Sequence, residues 1–180
     1  MSDVNIRPAI SPDFEILSSI KHSIKTSAVW QMERLHDENQ ESATFHETKL
    51  PRLIWVDYPN SVENLYERCK TYSTVLVGCI EDIPIGYIAL DADSNGLNTW
   101  IKDLAVHERW RRRGIACTLI RSAMEWSFAR HINRLMLELT SKNYPAICLA
   151  KNMGFEYCGY NDYYYGKNDI ALFFTRQIRK

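Results

Sequence analysis

Apolar positions change their period along this chain, and the changes mark out its elements. Residues 74–81 (TVLVGCIE) and 85–91 (IGYIALD) are β-branched and apolar, and Glu81-Asp82-Ile83-Pro84 between them reads as a turn, so the pair predicts a β-hairpin. A second turn, Asp93-Ser94-Asn95-Gly96, leads into a third strand over residues 99–106 (TWIKDLAV). Beyond Gly114 the period becomes helical, with Ile115, Leu119, Ala123 and Trp126 on one face. Residues 135–140 predict a fourth strand. Asn143 then caps a helix with Pro145 near its first position, and that helix ends near Gly154, a glycine suited to the position after a helix C-terminus. Residues 155–160 and 169–178 read as two closing strands.

The first third of the chain is less regular. Residues 4–8 predict a short strand. Ser11-Pro12 supplies a cap and a first-turn proline for a helix carrying Phe14, Leu17, Ile20 and Ile24. Asn60-Ser61 caps a helix running to about Thr71, with Val62, Leu65, Tyr66 and Cys69 on one stripe. Residues 28–59 mix Trp30, Met32 and Trp55 with many polar residues and fit either a helix with a long loop or an extended segment. Strands followed by strand–helix–strand–helix–strands predict an α+β fold: a mixed, mostly antiparallel sheet with helices on both faces.

Composition narrows the class. A length of 180 residues suits one domain, with residues 1–73 forming an N-terminal part and 74–178 the core. Lys+Arg 22 balances Asp+Glu 22, which argues against a nucleic-acid partner. The opening MSDVNIRPAI has neither the basic nor the apolar region of a secretion signal, and no apolar run approaches the ~20 residues of a membrane span, so a cytoplasmic protein without a membrane partner is expected. Five dispersed cysteines form no C-x-x-C pair and read as reduced thiols. His107-Glu108 begins like H-E-x-x-H, but Arg111 stands in the last position, and no metal site is expected.

The chemistry concentrates between Leu104 and Ile120. An apolar strand runs into a polar turn, then Arg111-x-x-Gly114-x-Ala116, then an amphipathic helix. The amides that open a helix lack intrahelical acceptors and carry its positive dipole end. Glycine and alanine leave those amides bare, so a diphosphate can approach, and neighbouring arginines add charge-assisted contacts. The arrangement is neither G-x-x-x-x-G-K-[ST] nor G-x-G-x-x-G.

This stretch resembles motif A of the GNAT N-acetyltransferases, [QR]-x-x-G-x-[GA], preceded by a strand ending Leu104-Ala105-Val106. Leu137-Glu138, then Asn143-Tyr-Pro-Ala146-Ile147 and Met153-Gly154-Phe155, is similar to the family's next strand and helix. The likeness covers roughly residues 74–178, and its wording is most similar to streptothricin-acetyltransferase-like members. It implies a sheet of about six or seven strands, acetyl-CoA as co-substrate and an amine as acceptor. It further implies that Leu104, Ala105 and Val106 line the pantetheine arm, that Arg111, Arg112, Arg113, Gly114, Ile115, Ala116 and Cys117 hold the diphosphate, and that Asn143 contacts the arm.

Attack of an amine on a thioester requires that the amine lose a proton, and that the tetrahedral oxyanion meet a donor, for which a backbone N–H at the end of the third strand is suited. Two carboxylates are candidates to accept that proton. Glu138 stands in an otherwise apolar strand, and Asp103 in the third strand, where alternation sets it opposite Lys102 unless a bulge exchanges them. Each reads equally as a structural acid. The family's usual tyrosine in the last helix is missing, since the pair there is Leu149-Ala150; Cys148 beside it suits the core, and Tyr163-Tyr164-Tyr165 offers phenols from the final hairpin.

For the acceptor, the acids from Glu33 to Glu47 with Asp91 and Asp93 suggest a small cationic molecule such as an antibiotic or polyamine. A protein N-terminus or lysine is the alternative, and a CoA-binding module without turnover is the alternative of another class. The oligomeric state stays open, a homodimer included.

Overall fold

The computed structural model describes residues 4–60, 62–165 and 169–178. Along the chain run β1 (Asn5–Pro8), α1 (Asp13–Ser19), β2 (Ile24–Asp37), β3 (Gln40–Val56), α2 (Leu65–Cys69), β4 (Thr74–Ile80), β5 (Ile83–Ala92) and β6 (Thr99–Val106). After them come α3 (Ile115–Phe128), β7 (Arg134–Thr140), α4 (Tyr144–Asn152), β8 (Glu156–Asn161) and β9 (Ala171–Gln177). Seven strands form one sheet in the order β1-β4-β5-β6-β7-β9-β8, and β2 and β3 form a separate ribbon. All neighbours in the large sheet are antiparallel except β6 and β7, which α3 joins as a parallel crossover.

The sheet buries both faces because its strands alternate between two cores. On one face Leu76, Ile88, Leu90, Ile101, Leu135 and Leu137 meet Ile115, Leu119 and Ala123 of α3 and Ile147 and Ala150 of α4. On the other, Val75, Val77, Tyr87, Ala89 and Ala105 meet Phe14 and Leu17 of α1 and Leu65 and Cys69 of α2. Full burial of one such aliphatic side chain stabilises by roughly 2 kcal/mol. The expected α+β sheet with helices on both faces is therefore the observed one.

Local chemistry sets the turns. Glu81 and Asp82 both have positive φ (48° and 65°), so β4 and β5 are joined by a two-residue turn of the type that matches strand twist. That turn is tighter than the sequence suggests, and Ile83 and Pro84 belong to β5. Helix α1 stops at Ser19, because Ile20 turns to extended backbone and Ile24 opens β2 opposite Val56. Helix α2 is only five residues long; Asn60 does not cap it, and Ser61 lies outside the described residues.

Residues 28–59 are extended, and the helix alternative is wrong. Most of this segment forms the ribbon β2–β3, paired from Ile24–Val56 to Asp37–Gln40. The ribbon meets the body through a few contacts, among them Trp30 N–H donating to the Ser141 carbonyl, Trp30 packing on Phe174, and Phe45 packing on Tyr157 and Tyr160. With so little of its surface buried, its sequence carries no strong apolar period.

Candidate active site

The turn between β6 and α3 is built around Gly114, the N-cap of α3. Its backbone is left-handed (φ 82°), a conformation that costs a residue with a Cβ on the order of 1–2 kcal/mol, and a Cβ placed there would meet open space. Gly114 is thus needed for backbone shape and bareness rather than for packing. Arg112 also has positive φ (64°), so two left-handed residues shape the turn whose amides lead into α3. A cavity of about 390 Å³ opens over it, lined by Arg112, Gly114, Ile115, Ala116 and Cys117 and reaching to Asn143 and Leu149.

Arg111 has another task. Its Nε donates to the Val106 carbonyl (2.9 Å), one terminal nitrogen to the Ser23 carbonyl (3.1 Å) and the other to the Lys21 carbonyl. The side chain expected to neutralise a diphosphate instead pins the turn to the segment entering β2. Arg113 stacks over the Trp110 ring at 4.8 Å, and the Arg112 and Arg113 side chains are the exposed charges beside the turn.

Strands β6 and β7 pair only from Thr99–Leu135 to Ile101–Leu137. Beyond that last rung they part, so the facing edges of residues 102–106 and 138–140 have no ladder partner on each other. A gap between parallel strands with free edge donors and acceptors suits an extended, amide-bearing arm. Leu104, Asn143, Ala146 and Leu149 line both the cavity at Gly114 and a second cavity of about 510 Å³ beyond the gap. Asn143 caps α4 by accepting from Ala146 N–H (3.2 Å) while facing both spaces. Ala105 is buried on the α1/α2 face, and only its backbone belongs to the gap.

The two candidate carboxylates differ sharply. A bulge in β6 leaves Lys102 without a partner between the rungs Ala89–Asp103 and Leu90–Ile101. The extra residue reverses the alternation of the strand past it, so Ile101 faces the α3 core while Asp103 and Ala105 face α1 and α2. There Asp103, 2% exposed, takes hydrogen bonds from the Tyr58 hydroxyl, from Asn60 Nδ2 (3.0 Å) and from Arg68 Nε (3.3 Å) and Nη2 (3.1 Å). Burial first, and the Asp103 charge beside it, push the Tyr58 phenol well above its ordinary range. A carboxylate with this many donors is a structural anion held by Arg68.

Glu138 is half-buried at the wall of the larger cavity, where Tyr164 and Tyr165 donate to its two oxygens at 2.9 and 2.8 Å. Each oxygen keeps a second lone pair, so the carboxylate is oriented without being saturated. Burial, then the Glu138 charge, raise the Tyr165 phenol far above its usual range, and it keeps its proton at neutral pH. Trp100 stands edge-on to Phe173 at 6.1 Å, and Phe173 edge-on to Tyr164 at 5.9 Å, which gives this cavity an aromatic side.

The sequence profile of the acetyltransferase (GNAT) family matches residues 32–155. That span takes in most of the ribbon, the Gly114 turn and the parting strands. The chain belongs to the GNAT acetyltransferase family. It is 28% identical over 166 residues to the streptothricin acetyltransferase of Streptomyces lavendulae, covering 88% of this chain and 84% of that one. It is 32% identical over 85 residues to an L-amino acid N-acetyltransferase of Escherichia coli (strain K12), covering 45% and 52%. Among solved structures, nourseothricin acetyltransferase superposes with a TM-score of 0.84 at 21% identity, covering 98% of this chain and 99% of that one. A proposed streptothricin acetyltransferase from Bacillus anthracis strain Ames, in complex with acetyl coenzyme A, gives 0.78 at 20% identity, covering 97% and 99%. The protein is an acetyl-CoA-dependent N-acetyltransferase.

As a GNAT enzyme it departs from sequence expectation at several residues. The acids from Glu33 to Glu47, with Asp91 and Asp93, lie outside the lining of the larger cavity, and Glu47 accepts from the Tyr144 hydroxyl (2.7 Å). Among the aromatic residues, Tyr58 and Trp100 line the cavity, whereas Trp30 packs on Phe174 and Trp55 is half exposed beneath Lys21 and Lys25. Ala150 is fully buried, so its position offers no phenol. Sequence reasoning missed Arg68 altogether, since nothing local ties a helix arginine to a strand 35 residues on. The Tyr164-Tyr165 pair was visible as a tyrosine run, but its contact with Glu138 depends on how β8 and β9 close.

Proposed function

We propose that this enzyme acetylates the primary amine of a small molecule held in the 510 Å³ cavity, with Glu138 accepting the proton the amine must lose. The observation that carries this reading is the state of the two carboxylates. Glu138 is oriented by two phenols and open to the cavity, and Asp103 is spent on Arg68, Tyr58 and Asn60. The reach of Tyr164 and Tyr165 to Glu138 across one side of the cavity favours a small acceptor over a protein chain. The activities named for two relatives, on streptothricin and on L-amino acids, support an amine acceptor.

For acetyl-CoA, amides from Arg112 to Cys117 would take the diphosphate, with Arg112 and Arg113 adding charge from their side chains. The free edges of Leu104, Ala105 and Val106 would take the pantetheine amides, and Asn143 would close the gap. The co-substrate brings an activated thioester; the protein's part is to hold that thioester against the amine, which supplies much of the rate. Attack forms the C–N bond, the oxyanion is met by a backbone N–H at the β6 edge, and the C–S bond then breaks. With its pKa raised, Tyr165 is a poor acid for the departing thiolate. A thiol's ordinary pKa near 8.5 lets the sulfur leave unaided and take its proton from water.

The test is release of free CoA thiol from acetyl-CoA across a panel of small amines and a panel of peptides. Turnover on amines alone is expected. Glu138→Gln should lower kcat on the order of 100-fold while leaving acetyl-CoA affinity unchanged. Preference for peptides, or an unaltered kcat in that variant, would overturn the reading.

A further inference from the structure

Two charged side chains on the wall of the acceptor cavity have no ionic partner among the described residues, and they come from the two strands that part there. Glu138 is the residue just past the last β6–β7 rung on β7, and Lys102 is the residue just past it on β6. In a continuing parallel ladder they would be the next facing pair. Because the strands part at this point, no ion pair forms between them, and both side chains line the cavity that opens in the gap. Glu138 takes its hydrogen bonds from Tyr164 and Tyr165, while Lys102 Nζ lies 5.9 Å from the centroid of the Trp100 ring, which lines the same space. The remaining charged residue of the lining, Asp103, is matched by Arg68. The cavity is thus close to neutral overall but carries one open anion and one open cation, one from each of the parting strands.

The bulge is what lets two adjacent charges of β6, Lys102 and Asp103, line one cavity. With strict alternation Asp103 would share the α3 face with Ile101, and Lys102 would stand on the cavity side without it. A polycationic acceptor gains from Glu138 but is opposed by Lys102 at close range. A molecule carrying an amine and a carboxylate a few bonds apart satisfies both.

Resting on the reading of Glu138 as the proton acceptor, we propose that the acceptor is a small amino-carboxylate, whose carboxylate Lys102 receives while its amine lies toward Glu138. Lys102 is then a specificity-determining residue: it selects the acceptor and leaves the acetyl donor alone. A hydrogen bond between charged groups contributes about tenfold to a hundredfold in selectivity.

The test uses matched acceptors that differ in the carboxylate: L-lysine, L-lysinamide and cadaverine, and L-phenylalanine, L-phenylalaninamide and phenethylamine. Thiol release gives kcat/KM for each with the wild type, Lys102→Met and Lys102→Gln, whose melting temperatures confirm that this exposed position tolerates change. The expected result is at least a tenfold preference for the amino acid over both counterparts in one or both series. That preference should vanish in both Lys102 variants through a higher KM, with counterpart rates and acetyl-CoA affinity within about threefold of wild type. Equal or better use of the amide and the decarboxylated amine, or an equal change in all acceptors on substitution, would overturn the proposal and leave acetyl transfer to amines standing. Binding of acetyl-CoA without thiol release for any of the six would overturn both.

Discussion

At the scale of single residues, one glycine shapes the turn into α3 and one buried histidine ties fold stability to pH. Gly114 is held at φ 82° with open space where a side chain would start. Gly114→Ala should therefore cost about 1 kcal/mol in folding while weakening acetyl-CoA binding only modestly. Gly114→Glu should lower that affinity more than 100-fold, because its charge stands where a diphosphate belongs. Titration calorimetry on both variants separates backbone strain from blockade, and normal binding by the glutamate variant would remove the turn from the account. His22 supplies a pH dependence. It is 8% exposed, its Nδ1–H donates to the Ile20 carbonyl (2.6 Å), and Nε2 accepts from the Tyr87 hydroxyl (3.0 Å). Burial lowers its pKa below the ordinary 6.5, so the unfolded chain binds the extra proton first. The stability tied to neutral His22 is whole above about pH 6.5 and drains away as pH falls toward the lowered folded value. The melting temperature should drop between pH 7 and pH 5 more in the wild type than in His22→Gln; parallel curves would refute this.

At the scale of elements, most of the frame could be read from sequence, and the failures share a cause. Strand β6 and helix α3 fall where their periods place them, because both are packed against the sheet core. The ribbon β2–β3 was legible only as one of two options, since the partners that hold it are Ser141, Phe174 and Tyr157, more than 90 residues on. The bulge at Lys102 leaves no mark in composition, yet it decides which of two adjacent charges meets Arg68. Asp103→Asn should destabilise the fold by about 3 kcal/mol, because it strips Arg68 of its buried partner. Replacing both, as Asp103→Leu with Arg68→Met, should recover part of that loss in chemical denaturation; additive losses would show that the pair is not a unit. The same logic applies to Arg111, whose guanidinium serves three carbonyls on two segments. Arg111→Ala should lower the melting temperature by several degrees, and an unchanged value would show that the Gly114 turn is held by other means.

At the scale of the whole molecule, the family likeness and the geometry converge on one line through the sheet. The cavity at Gly114 and the 510 Å³ cavity share Leu104, Asn143, Ala146 and Leu149, so the parting of β6 and β7 lies between them. No helix among the described residues is long and apolar enough to cross a membrane. The β2–β3 ribbon packs beside α4 and β8 through Trp30, Phe45 and Glu47, and Ile24 at its base reaches the cavity at Gly114. A crystal structure with acetyl-CoA soaked or co-crystallised reads this arrangement most directly. The account predicts the diphosphate within hydrogen-bond distance of the amides from Arg112 to Cys117 and the acetyl carbon in the gap past Ile101 and Leu137, facing Glu138. Electron density for the coenzyme on any other surface, or a thioester pointing away from that gap, would contradict it.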